Sequence, residues 1–168
     1  MKKIAFYIDG SNFFYMQKDV LGWWICPQKL LNWVKQRGDV IDAAYYTGVD
    51  PDHEPQQNFL TALCHMGYRL ETKEYKVIQT SHGGQIAKAN LDVEIVLDMC
   101  MSVDLYDEVV LLSGDGDFRR PLRAIRNKGK QFFILSTKGC VSNDLRTIAG
   151  MNYQDLSTLE KELRRDSR

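Results

Sequence analysis

Residues 4–12 run Ile4-Ala5-Phe6-Tyr7-Ile8-Asp9-Gly10-Ser11-Asn12, and the break inside this stretch decides how the chain is read. An apolar run is cut off by an acid, a glycine and two small polar residues, the pattern of a buried strand entering a turn. A second break of the same kind follows Val109-Val110-Leu111-Leu112, where Ser113-Gly114-Asp115-Gly116-Asp117 begins. The strand Glu108 to Leu112 is so uniformly apolar after its first residue that both its faces should be covered, which places it in mid-sheet.

Working outward, a short helix is expected from Phe13 to Lys18. Pro27 opens another in which Leu30, Leu31 and Val34 share a face, and Gly38 closes it. Asp39 to Thr47 and Tyr68 to Lys73 read as strands, with a helix from Gln56 to Met66 between them and a loop at Asp50 to Pro55. Between Glu74 and Lys88 the pattern weakens, and Ser81-His82-Gly83-Gly84 marks a mobile loop or hairpin where substrate would enter. Helical periodicity returns at Leu91 to Ser102 and Phe118 to Lys128, then a strand at Gln131 to Leu135 and a short helix at Asn143 to Ile148. This alternation predicts an α/β fold, a mostly parallel central sheet flanked by helices, because parallel neighbours need crossover connections. One domain spans residues 1–156, and residues 157–168 form a charged tail, expected to fray from Glu160 onward.

With 168 residues, 44% hydrophobic and 26% charged, the chain can build a core without staples. Its formal net charge of zero excludes attraction of a polyanion by the molecule as a whole, so any nucleic-acid binding must come from a local patch. Cys26, Cys64, Cys100 and Cys140 are scattered, without a CxxC pair, and read as reduced core thiols; with His53, His65 and His82 isolated, zinc is not expected. Lys2 and Lys3 precede an apolar stretch, but Asp9 ends it too soon for a secretion signal. No apolar run approaches the roughly 20 residues of a membrane span, so the expected location is cytoplasmic.

In a sheet of this kind ligands bind beyond the carboxyl ends of the strands, where strand order reverses. Asp9, Asp115 and Asp117 stand there, and Asp92 opens the helix that follows Lys88. If the strands are neighbours these four acids converge, and crowded carboxylates raise one another's pKa values unless a cation neutralises them. Oxygen ligands without thiolate or imidazole suit Mg2+ or Mn2+ rather than zinc. Each loop alone would also serve as a turn and a helix cap. Asp98 lies about 120° round the helix from Asp92 and is expected to be peripheral, and Glu94 to face solvent.

Three segments, Tyr7-Ile8-Asp9-Gly10-Ser11-Asn12, Lys88-Ala89-Asn90-Leu91-Asp92-Val93 and Leu112-Ser113-Gly114-Asp115-Gly116-Asp117-Phe118, resemble in order and spacing the NYN domain family, the LabA-like branch of the PIN-like nuclease superfamily. The resemblance implies a Rossmann-like three-layer PIN-like fold, divalent-metal binding and RNA cleavage. It implies that Asp9, Asp92, Asp115 and Asp117 are the metal-binding and catalytic acids, with Asn12 and Ser113 as supporting polar residues. Two departures stand out: Ala89 where the family usually has glycine, and Ala149-Gly150 where it has an Ala-Asp pair, which removes an additional acid from the rim.

RNA, as single strands or structured loops, is the expected partner. Phe118, Leu122 and Ile125 face the core of their helix while Arg119, Arg123 and Arg126 form an adjoining stripe suited to phosphate, as is Lys88. A solvated basic face is the plainer reading of that stripe. Trp23 and Trp24 lie in an irregular stretch where an exposed indole would stack on a base, although core or dimer packing is commoner. Apolar strands in the second half leave a homodimer open. Against the metal-dependent ribonuclease stands a catalytically inactive regulatory module that binds RNA or a protein. A Toprim-like domain would begin with Glu, and a haloacid-dehalogenase-type phosphatase would want an Asp where Ser11 stands.

Overall fold

The computed structural model describes the backbone of residues 1–79 and 85–166, and the side chains of residues 1–76 and 89–166. Its strands are β1 (Lys3–Asp9), β2 (Asp39–Val49), β3 (Arg69–Glu74), β4 (Lys76–Gln79), β5 (Gln85–Lys88), β6 (Glu108–Leu112), β7 (Gln131–Ser136) and β8 (Tyr153–Asp155). The helices are α1 (Gly10–Tyr15), α2 (Pro27–Lys35), α3 (Glu54–His65), α4 (Asp92–Met101), α5 (Arg119–Asn127), α6 (Asn143–Ala149) and α7 (Glu160–Leu163). Six strands form one sheet in the order β3-β2-β1-β6-β7-β8, every pair parallel. The chain builds outward from β1 to β3, then returns to lay β6, β7 and β8 on the other side. Strand order therefore reverses between β1 and β6, which opens a crevice at their carboxyl ends.

Alternation along the central strands produces two cores. Ile4, Phe6 and Ile8 of β1 join Val110 and Leu112 of β6 on one face, against Leu30, Leu31 and Val34 of α2 and Leu60 and Leu63 of α3. Ala5, Tyr7, Val109 and Leu111 point the other way and pack under Ile95 and Met99 of α4, Leu122 and Ile125 of α5, and Leu145 of α6. With both faces covered, β6 is buried along its whole length, as its composition predicted. The α/β class and the three-layer arrangement stand, with the sheet parallel throughout.

Two expectations are corrected. The tail does not fray at Glu160: Leu159 and Leu163 are buried in the first core, the Leu163 carbonyl accepts from the Cys26 amide at 2.8 Å, and Ile25 bridges Arg164 in antiparallel fashion. Apolar burial outweighs the charge density of that segment. Nor are all the thiols in the core, since Cys64 and Cys100 are exposed on their helices; the four cysteines are free. The weak stretch after Glu74 holds the antiparallel pair β4–β5, and the loop read at Ser81 to Gly84 lies outside the described residues. Among the described residues no helix is long and apolar enough to cross a membrane.

Candidate metal centre

The crevice between β1 and β6 is built from the two loops that interrupt their apolar runs. Asp9 ends β1 and caps α1, its Oδ1 accepting from the Asn12 amide at 3.1 Å. Its Oδ2 accepts from the Ser113 hydroxyl at 3.0 Å, and that oxygen in turn accepts from the Asp115 amide at 3.2 Å. The Asn12 side-chain carbonyl accepts from the Gly114 amide at 3.0 Å, so each loop holds the other. Asp115 caps the 3-10 turn that leads into α5, accepting from the Asp117 amide at 2.9 Å. Capping, the plain reading of these acids, is thus real, and it employs part of each carboxylate.

Two glycines let the loops close. A Cβ on Gly10 would stand 2.5 Å from the Tyr46 carbonyl oxygen, and one on Gly114 would stand 2.2 Å from the Cys140 carbonyl oxygen, both backbone atoms that cannot swing aside. Glycine is required by close approach here, not by a positive φ.

Asp92 enters from above, at the first position of α4, where its amide donates to the Asn90 side chain at 2.8 Å. The helix is locked to the sheet by Asp98, which accepts from the Tyr46 hydroxyl at 2.6 Å and from Arg69 at 2.9 Å. Asp98 is accordingly peripheral to the acids, as its helical offset suggested. Glu94 differs from expectation: it is half-buried, its Oε1 accepts from Lys73 at 2.6 Å, and its Oε2 is buried without a partner among the described residues. The Lys73 ammonium holds this carboxyl below its usual range.

The electrostatics show which acids meet. Burial pushes the Asp9 carboxyl up, the Asn12 and Ser113 bonds work against it, and the charges of Asp92 and Asp115 push it further up. Asp92 is likewise raised by burial and by Asp115, Asp117 and Glu94. Asp9 thus feels the charges of Asp92 and Asp115, and Asp92 those of Asp115 and Asp117; Asp117 is the most exposed of the four. Among the described residues, however, no group of three or more acid, histidine or cysteine side chains is placed so that it could hold a metal ion.

The basic stripe divides. Arg119 leads α5 away from the acids and pairs with Asp144 at 3.1 Å. Arg123 is exposed and makes no ion pair among the described residues. Arg126 lies over the Phe132 ring at 4.4 Å and donates to the Ile148 carbonyl at 2.7 Å. Phe132 is the second residue of β7, so this guanidinium sits toward the amino-terminal end of the strands, away from the carboxyl ends where Asp9 and Asp115 stand. The side chain of Lys88 lies outside the described residues. Sequence reasoning missed Asn90 as a partner of Asp92, and the Lys73–Glu94 pair, whose members are distant in sequence and carry no pattern linking them.

The NYN domain model matches residues 3–156. The low amplitude and bright protein LabA of Synechococcus elongatus is 37% identical over 170 residues, covering 99% of this chain and 90% of that protein. A crystal structure of a protein of unknown function from Vibrio parahaemolyticus superposes with a TM-score of 0.76 at 27% identity, covering 89% of this chain and 90% of the other.

Proposed function

The chain belongs to the NYN domain family, and from that premise we propose that it is a divalent-metal-dependent ribonuclease that hydrolyses RNA phosphodiester bonds at the crevice of Asp9, Asp92, Asp115 and Asp117. The observation that carries this reading is that Asp9 and Asp92 are raised chiefly by burial and further by neighbouring acids, carboxylates placed at a cost that a cation would relieve.

The donor set fits such an ion. It is all oxygen, which suits Mg2+ or Mn2+. Mg2+ keeps several of its waters and takes only one or two carboxylates. Asp9, Asp92 and Asp115 would hold it, with Asp117 acting through water. When bound, the ion neutralises phosphoryl oxygens and acidifies water at the site. Asp9 is kept in one orientation by the Asn12 amide and the Ser113 hydroxyl, and Asp115 by the Asp117 amide. Asn12 keeps the two loops in register. Arg123, exposed and without an ion pair among the described residues, would receive a backbone phosphate. Water would attack phosphorus and lose a proton to solvent while the bond from phosphorus to the ribose oxygen breaks and that oxygen takes up a proton.

A homodimer, left open by the sequence, has a candidate surface in the exposed stripe Val93, Leu97 and Met101 of α4. The inactive-module reading is separated from catalysis by one assay. Labelled RNA incubated with purified protein is expected to be cleaved with magnesium or manganese, to survive with chelator, and to survive with Asp115→Asn. Cleavage unchanged by Asp115→Asn sinks the catalytic assignment; no cleavage by the wild-type protein under any metal favours the inactive module.

A further inference from the structure

The helix that begins beside Asp9 carries a feature the catalytic reading does not use. On α1 and the π-helical turn that continues it (Met16–Leu21), Phe13, Met16 and Gln17 face inward while Phe14, Tyr15 and Lys18 face out. Phe14 is 44% exposed, Tyr15 55% and, from the following loop, Trp24 48%. These rings touch: Phe14 and Tyr15 are 5.4 Å apart at 82°, and Phe14 and Trp24 5.7 Å apart at 43°. The first pair is edge to face and the second tilted, neither a parallel stack, and each ring keeps about half of its surface exposed.

The cluster is held rigid from behind. The buried Gln17 side chain donates to the Phe13 carbonyl at 3.0 Å and accepts from the Ile25 amide at 2.7 Å, which pins the loop bearing Trp24 against the helix. Trp23 points into the core, and the Trp24 carbonyl accepts from the Arg165 amide at 2.8 Å. Rings fixed in place lose little freedom when something stacks on them. The Lys18 ammonium lies 5.9 Å from the Phe14 ring centre, and Arg165, whose amide meets the Trp24 carbonyl, is exposed; of the acids that follow them, Asp19 is exposed and Asp166 pairs with Lys29. Phe14 lies on the helix that Asp9 caps.

We propose that Phe14, Tyr15 and Trp24 are a stacking platform for unpaired bases, with Lys18 and Arg165 receiving the backbone phosphates, and that the substrate is therefore single-stranded RNA. Stacked aromatics flanked by cations are what binds a single strand without reading its sequence; a duplex hides its base faces and gains nothing here. The inference names the substrate of the ribonuclease reading and rests on it for the direction in which the strand runs, toward the crevice.

Binding is measured in chelator, where no cleavage intervenes, by anisotropy of a labelled oligouridylate and of an RNA duplex of equal length. The single strand is expected to bind, the duplex to bind far more weakly, and Trp24→Ala or Phe14→Ala to weaken the single strand by roughly 5- to 100-fold. Trp24→Phe should retain most of the affinity, and unchanged melting temperatures show that the exposed substitutions leave the fold intact. Wild-type affinity in both alanine variants overturns the platform, as does equal binding of duplex, or no binding of the single strand by the wild type at low salt. Loss of self-association in Trp24→Ala with RNA binding unchanged also overturns it, in favour of a second copy as occupant. Intact binding without cleavage on adding metal leaves the platform standing and removes the catalytic reading alone.

Discussion

Ser113→Ala isolates the contact on which the acidic crevice depends. The hydroxyl is wholly buried, donates to Asp9 and accepts from the Asp115 amide. A hydrogen bond to a charged group contributes roughly 1.5–3 kcal/mol, and the freed amide, in a half-buried loop, adds about 0.5 kcal/mol, for an expected loss of about 2–3 kcal/mol. For a chain of this size that is a fall of roughly 5–10 °C in Tm. The loss should depend on pH. Asp9 is raised in the folded state, chiefly by burial, so in metal-free protein its contribution favours folding in acid and is lost as pH rises through the folded pKa. The Ser113 bond holds that pKa down; its removal lets it climb, which deepens the penalty where the carboxylate is charged. Urea unfolding at about pH 8 and about pH 5 measures this, and the deficit should be larger at the higher pH with the slope m unchanged. A deficit under about 0.5 kcal/mol, or one equal at both pH values, refutes the account of how Asp9 is held.

Gly114→Ala drives a Cβ into the Cys140 carbonyl and should cost about 3 kcal/mol in urea unfolding; a near-neutral result would show that the 140 loop yields. Manganese should raise the Tm of the wild type and not of Asp115→Asn, because an ion bound only by the folded state stabilises it. That rise should be greater at about pH 8 than at about pH 5, since Asp9 and Asp92, both raised, must lose protons to bind a cation. Leu163→Ala should cost about 2–4 kcal/mol, as removal of a buried leucine does elsewhere, whereas a frayed tail would lose nothing.

The central strands were legible because burial on both faces leaves a continuous apolar run, and Asp9 and Asp115 because each run stops at an acid. Asp92 was placed by a helix start and by resemblance, for nothing local says that α4 crosses over this crevice. Arg126 was misplaced for a general reason: helical spacing tells which side of a helix a residue occupies, not which end of the sheet that side overlooks. Trp23 and Trp24 were inseparable in sequence because an irregular segment has no period, and only the Gln17 bond to Ile25 decides which indole turns inward. The terminal leucines were masked by the charges around them, although Leu156, Leu159 and Leu163 recur at helical spacing and would have signalled an inward face.

Caps explain half of the crevice and leave the other half unexplained. Asn or Ser would cap α1 and the turn before α5 as well as aspartate does, without placing a charge in a buried position. Instead Asp9 is ringed by bonds that favour its ionised form while its surroundings and two further acids oppose that form. Local choices that work against folding, and lie where strand order reverses, are what the proposed cation site would account for. The sharpest discriminator is then Asp9→Asn: it should leave the metal-free protein as stable as the wild type or more so, and abolish the manganese response. A variant that unfolds more readily in chelator would mean that the charge serves the fold, and the case for a cation would fail with it.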